Sequence, residues 1–168
     1  MSIENLEKNY DSSKVENRWY EFWEKNHLFA PTDDDTKPSF SIVIPPPNVT
    51  GKLHMGHAMD ETMQDILVRY KRLKGYNTLW VPGTDHAGIA TQAKMLRDKG
   101  IEREAIGREA FIEHCWDWKK QYGNTITQQI RKLGASCDWE RERFTMDEGC
   151  SKSVREAFVS LYEQGLIY

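Results

Sequence analysis

The run Ile42-Val43-Ile44, followed at once by Pro45-Pro46-Pro47, leaves this chain few ways to fold. Three β-branched residues in succession favour an extended segment, and prolines, which lack an N–H, cannot carry a sheet ladder onward. The strand therefore ends at Pro45. From His54 to about Lys74, Met59, Met63, Ile66, Leu67, Tyr70 and Leu73 recur at helical spacing, and Gly75 follows as a terminator. Asn77-Thr78-Leu79-Trp80-Val81 reads as a second strand, stopped by Pro82-Gly83. Strand, crossover helix and strand make a βαβ unit, in which the two strands must be parallel. The predicted fold class is α/β, with parallel strands and flanking helices.

The polar residues gather at one edge of that unit. His54 and His57 lie three apart on the first turn of the helix, so both rings project to one side, and Gly56 puts no side chain between them. Free N–H groups and the positive end of the dipole make a helix start an anion site before any side chain is considered. The second polar block, from Gly83 to Gln92, follows the second strand. Both blocks thus fall at the carboxyl ends of neighbouring strands, where open α/β sheets bind ligands.

Elsewhere the pattern is structural. Ser13 and Glu16 are spaced as a capping box that opens a helix, and Val15, Trp19, Phe22 and Trp23 form its apolar stripe. Pro31 to Pro38, with Asp33-Asp34-Asp35 inside it, reads as a solvated polar loop and not a metal site. This divides the chain into a helical extension with its loop, 1–38, and a main unit, 39–168. The second half of that unit is mainly helical, with Phe111, Ile112, Cys115, Trp116 and Trp118 after Gly107, then Ile126, Ile130 and Leu133 up to Gly134. Val154, Phe158, Leu161 and Tyr162 stripe a last helix before Gly165.

Composition narrows the function classes. A hydrophobic share of 39% is enough for a core, while no apolar run approaches the ~20 residues of a membrane span. Met1 to Asp11 is polar and acidic, unlike a signal peptide, so a soluble, cytoplasmic protein with no membrane partner is expected. Cys115, Cys137 and Cys150 are odd in number and show no C-x-x-C spacing, which argues against zinc and against a disulfide framework. A net charge of -3 argues against a free-standing nucleic-acid binder. The basic cluster Lys71, Arg72 and Lys74 sits at a helix end, where cations offset the dipole.

Three blocks carry a resemblance. Pro45 to Asn48, Val49-Thr50-Gly51 and His54-Met55-Gly56-His57 together look like the HIGH signature of class I aminoacyl-tRNA synthetases, with Met at its second position. Val81-Pro82-Gly83-Thr84-Asp85-His86-Ala87-Gly88-Ile89-Ala90-Thr91-Gln92 resembles the valine-specific branch, since the leucine, isoleucine and methionine branches differ after the corresponding Gly. Asp138 to Gly149 is similar to the same branch. The resemblance runs from about Tyr10 to Tyr168 and implies the first half of a Rossmann-type catalytic domain. Its members are several times longer than 168 residues, so this stretch looks like the amino-terminal part. A second catalytic half, an editing insertion and an anticodon-binding domain would lie outside it. The Lys-Met-Ser-Lys-Ser loop is absent, and Cys150-Ser151-Lys152-Ser153 stands where the family has a plain helix start.

The resemblance implies a reaction in which valine is activated by ATP, with Mg2+ carried on the nucleotide, to valyl-adenylate and then passed to tRNA(Val). His54 and His57 would be the catalytic donors to phosphate oxygens. Asn48, Val49, Thr50 and Gly56 would complete the ATP site with them. Pro45, through its carbonyl, Asn48 and Asp85 would hold the amino acid, Asp85 facing its ammonium group, while His86 orients the loop. No resident metal is implied. tRNA would be gripped mainly by other parts of the enzyme, and a second chain completing the catalytic domain stays open as a partner. Plainer readings remain beside these: Thr84-Asp85 as a helix cap, and the two histidines as hydrogen-bonded surface residues. Two other functions also remain, a non-catalytic module that binds an adenine nucleotide or aminoacyl-adenylate and docks another protein, and a small nucleotidyltransferase.

Overall fold

A computed structural model describes residues 9–168. Among the described residues the α-helices and strands are ordered α1 (Glu16–Lys25), β1 (Ser39–Val43), α2 (Met55–Leu73), β2 (Asn77–Val81), β3 (Gly83–Thr84), α3 (Ile89–Lys99), α4 (Arg103–Leu133), β4 (Arg143–Phe144) and α5 (Glu148–Glu163). β1 and β2 are parallel, with Phe40 opposite Thr78 and Ile42 opposite Trp80. The chain is thus α/β, and α2 is the crossover the two strands require. β1 gives way before the prolines, although the Ile44 N–H still reaches the Val81 carbonyl at 3.0 Å. Gly75 ends the α2 turn at φ 83°, a conformation only glycine adopts without strain.

The core lies between α2, the sheet and the second half of α4, and contains Ile44, Val49, Val68, Trp80, Ile126, Ile130, Cys137 and Phe144. A smaller cluster of Met95, Phe111 and Trp118 joins α3 to α4. α4 is interrupted at Gly107, whose φ of 74° and ψ of 169° lie outside the helical region. Cys115, Cys137 and Cys150 are all free thiols. Among the described residues no helix is long and apolar enough to cross a membrane.

Three local readings are corrected. The capping box of Ser13 and Glu16 does not form. Asp11 accepts from the Ser13 N–H at 3.1 Å instead and winds residues Ser12–Lys14 into a 3-10 turn, so α1 begins at Glu16, whose carboxylate pairs with Lys132. The inward residue of α1 is Tyr20 and not Trp19 or Phe22, which stay exposed. Its hydroxyl donates to the Ala135 carbonyl at 2.6 Å and accepts from Trp139 Nε1 at 2.7 Å, and a phenol buries well only where its oxygen has such partners.

The third correction concerns α2. Its apolar stripe, Met59, Met63, Ile66, Leu67, Tyr70 and Leu73, is exposed among the described residues, and the face turned to the sheet carries Glu61 and Val68. Three polar side chains beside that face find specific partners. Asp65 accepts from the Ser136 N–H at 3.0 Å, Arg72 donates to the Ser136 hydroxyl at 3.2 Å, and Gln64 accepts from Trp80 Nε1 at 3.1 Å. Hydrophobic periodicity is blind to such a face, since it scores those residues as solvent-facing.

The short β3–β4 pair joins segments far apart in sequence, with Gly83 opposite Arg143 and Thr84 opposite Phe144. A side chain at Gly83 would place its Cβ 2.7 Å from the Arg143 carbonyl oxygen, a backbone atom that cannot swing aside. Gly83→Ala is therefore expected to destabilise the chain by about 1–3 kcal/mol through overpacking. Chemical denaturation of the two forms checks this, and equal midpoints would mean that β4 moves away at no cost.

Candidate functional site

Past the prolines, the loops after β1 and β2 run side by side. The Asp85 N–H donates to the Pro47 carbonyl at 2.8 Å and the Val49 N–H donates to the Asp85 carbonyl at 2.9 Å, closing a parallel bridge between Asn48 and Asp85. Trp118 Nε1 then donates to the Val49 carbonyl at 2.7 Å from α4. With its side chain in the core and both backbone groups taken, Val49 fastens the loop, while Asn48 and Pro45 beside it are exposed. The carbonyl that receives the Asp85 N–H is thus that of Pro47.

The start of α2 is built by its own histidines. His54 is the N-cap residue, and its Nδ1 accepts from the Gly56 N–H at 3.1 Å. His57 Nδ1 in turn accepts from the His54 N–H at 3.3 Å, so the two imidazoles form a reciprocal capping box with ring centroids 4.0 Å apart. A Cβ on residue 56 would lie 2.9 Å from His54 Cε1, which makes Gly56 a condition of the cap itself. Because each Nδ1 is an acceptor, the ring proton of each neutral imidazole sits on Nε2. Burial, and next the neighbouring His54, hold the His57 pKa below the usual histidine value. The helix start therefore offers two imidazole N–H donors alongside its backbone N–H groups.

Asp85 forms the second element. Its Oδ1 accepts from the Ala87 N–H at 3.0 Å and from the Thr145 hydroxyl at 2.8 Å, and His86 Nδ1 lies 3.3 Å away. Oδ2 has no hydrogen-bond partner among the described residues. Burial alone would raise this carboxyl, but the Ala87 N–H, the Thr145 hydroxyl and His86 together bring it below the ordinary aspartate value. Neither Thr84 nor Asp85 caps α3, which starts from Gly88 with no side-chain cap. Asp85 instead closes a turn in which Ala87 and Gly88 both have positive φ, 50° and 42°.

His86 and Thr145 line, or lie beside, a cavity of about 160 Å³ whose walls include Val49, Thr91, Trp116, Phe144 and Met146. A wider surface depression, about 1270 Å³, lies between α1 and the end of α4 and contains none of the site residues. Of the predicted residues, the structure brings Asn48, Val49 and Asp85 into one backbone bridge and His54, Gly56 and His57 into one cap. Thr50 is half-buried next to the bridge. Thr145 and Trp118 are not among the predicted site residues. Thr145 lies in the third sequence block, a signal of position though not of role, whereas Trp118 reads as one more apolar residue of a helical stripe.

Two neighbouring β–α loops, an N–H-rich helix start after one strand and a carboxylate after the next, define an α/β class of protein with its candidate site at the carboxyl ends of parallel strands. The sequence comparisons make this specific. Residues 18–168 match the family of tRNA synthetases class I (I, L, M and V), and the chain belongs to that family. Its similar relatives include the valine–tRNA ligase of Carboxydothermus hydrogenoformans, 62% identical over 162 residues, covering 95% of this chain and 18% of that protein. The valine–tRNA ligase of Geobacter sulfurreducens is 59% identical over 171 residues, covering 100% of this chain and 19% of that protein. The chain therefore spans about a fifth of the length of these relatives. In fold it is similar to the ternary complex of Agrobacterium radiobacter K84 agnB2 LeuRS-tRNA-LeuAMS, with a TM-score of 0.80 at 22% identity over 95% of this chain and 19% of that one.

Proposed function

We propose that this chain supplies the ATP-binding and amino-acid-binding loops of a valine–tRNA ligase. The observation that carries the reading is the bridge between Asn48 and Asp85, which joins the loop leading to the histidine cap with the loop bearing the carboxylate. The identity to valine–tRNA ligases supports valine as the amino acid and tRNA(Val) as the acceptor. In this reading the valine carboxylate attacks the α-phosphorus of ATP, forming the acyl–phosphate bond and releasing pyrophosphate. A carboxylate is already ionised at neutral pH, so no base is needed. The work lies in alignment and in stabilising charge that builds on the phosphates.

The Nε2–H groups of His54 and His57 are the donors to those phosphates, and neutral imidazoles serve as donors without a net charge. Class I synthetases use ATP with Mg2+. The α2 start presents N–H donors, which suit phosphate oxygens and not a cation, so the ion is assigned to the nucleotide. Asn48 and Thr50 border the nucleotide, and Asp85 accepts from the valine ammonium. The exposed Pro45 carbonyl is a second acceptor for it.

Calorimetric titration with a non-hydrolysable valyl-adenylate analogue tests this. Losing a hydrogen bond to a charged group costs about 1.5–3 kcal/mol, or roughly 10- to 100-fold in affinity. Asp85→Asn and His57→Ala are each expected to show such a loss. Affinity equal to wild type in both variants would overturn the reading. Valine-dependent exchange of pyrophosphate into ATP separates a ligase from a module that only binds.

A further inference from the structure

We propose that Thr145 is a positioning residue for the amino-acid end of the site: its hydroxyl aims Asp85 and fixes the His86 tautomer, leaving Asp85 Oδ2 and His86 Nε2 as bare acceptors for an ammonium group. The inference rests on Asp85 being the ammonium acceptor, as proposed above.

The argument is a count of protons at one oxygen. Thr145 Oγ1 has three polar neighbours: Asp85 Oδ1 at 2.8 Å, the His86 backbone N at 2.9 Å and His86 Nδ1 at 2.6 Å. A hydroxyl has one proton to give and two lone pairs to receive with. An ionised carboxylate only accepts, so the proton goes to Asp85. The His86 N–H fills one lone pair. The other faces Nδ1, and two acceptors at 2.6 Å would repel, so Nδ1 must carry a proton and donate it. The Asp85 Oδ1 atom 3.3 Å from Nδ1 favours the same placement. A neutral imidazole with its proton on Nδ1 has a bare Nε2.

His86 is thus held in the tautomer opposite to that of His54 and His57. One side of the site donates, as phosphate oxygens require, and the other accepts, as an ammonium requires. Tertiary pairing makes this possible. β4 brings Thr145 to within 3.2 Å of the Thr84 carbonyl through its own N–H, and Phe144 packs edge-on to the His86 ring at 6.4 Å.

Long-range 15N–1H spectra of the histidine rings test the proposal without relying on activity. In the wild-type chain His86 is expected to show a protonated Nδ1 and an unprotonated Nε2, with His54 and His57 reversed. Thr145→Val should release the His86 tautomer and weaken the valyl-adenylate analogue about 10-fold while leaving ATP affinity unchanged. Thr145→Ser, which keeps the hydroxyl, should restore both. A wild-type His86 protonated on Nε2, or a tautomer unmoved in the valine variant, would overturn the proposal. Analogue affinity kept in Thr145→Val but lost in Asp85→Asn would overturn it and leave the Asp85 reading intact. Affinity kept in Asp85→Asn would remove that reading and this inference together.

Discussion

Replacing Trp118 with alanine is expected to lower the unfolding free energy by about 3–5 kcal/mol, the range for deleting a buried indole. Trp118 is only 4% exposed, lies in the cluster with Met95 and Phe111, and stacks against Tyr122 with ring centroids 4.2 Å apart. The loss should also be felt at the site, because the Val49 carbonyl surrenders its indole donor. Trp118→Phe separates the two effects. It keeps most of the packing and removes the donor, so about 1–2 kcal/mol of the loss should remain. Urea unfolding of the three forms measures the series. A phenylalanine variant as stable as wild type would show that the bond to Val49 contributes nothing net.

Glu61→Gln is expected to act in the opposite direction, and only at higher pH. Glu61 is 2% exposed on the inward face of α2, and neither carboxylate oxygen has a hydrogen-bond partner among the described residues. Burial, and next the neighbouring Asp60, push its pKa from 4.5 up to about 7. Between those values the folded state holds a proton that the unfolded state has released. Stability associated with this proton is complete below the unfolded value and is lost as pH rises through the folded one. A tenfold difference in proton affinity between the two states corresponds to about 1.4 kcal/mol, so the full penalty approaches about 3 kcal/mol above the folded pKa. Glutamine does not titrate. Melting curves should therefore nearly coincide at acidic pH and favour the glutamine form at about pH 8, above the folded value. Parallel behaviour of the two forms across that range would show that Glu61 is not held neutral.

The βαβ unit is legible in the sequence because each of its signals is local. Proline at 45 lacks a ladder donor, and Gly75 carries φ 83° at the end of α2. The helix start at His54 is legible for the same reason, whereas the mutual capping of His54 and His57 is a finding of the structure, although its hydrogen bonds span only two and three residues. Gly56 reads from sequence as an opening for a ligand, whereas in the structure it also clears space for the His54 ring. The Ser13–Glu16 capping box fails through local competition, since Asp11 reaches the Ser13 N–H first.

The remaining features needed the folded chain. Which face of α2 turns inward depends on Ser136 and Trp80 being there to meet Asp65, Arg72 and Gln64, and no periodicity along α2 contains that information. Tyr20 is buried because the Ala135 carbonyl, 115 positions away, receives its proton. The same holds for the carboxylate of the site. By itself the sequence determined that Asp85 follows the second parallel strand, at the edge where ligands bind. Only the tertiary structure decided how it is held, because the Thr145 hydroxyl that orients it comes from 60 residues further on and arrives through the β3–β4 pair. Strand ends, turns and caps are set by bonds between near neighbours, whereas the direction of a buried side chain is set by whichever distant group satisfies its polar atoms.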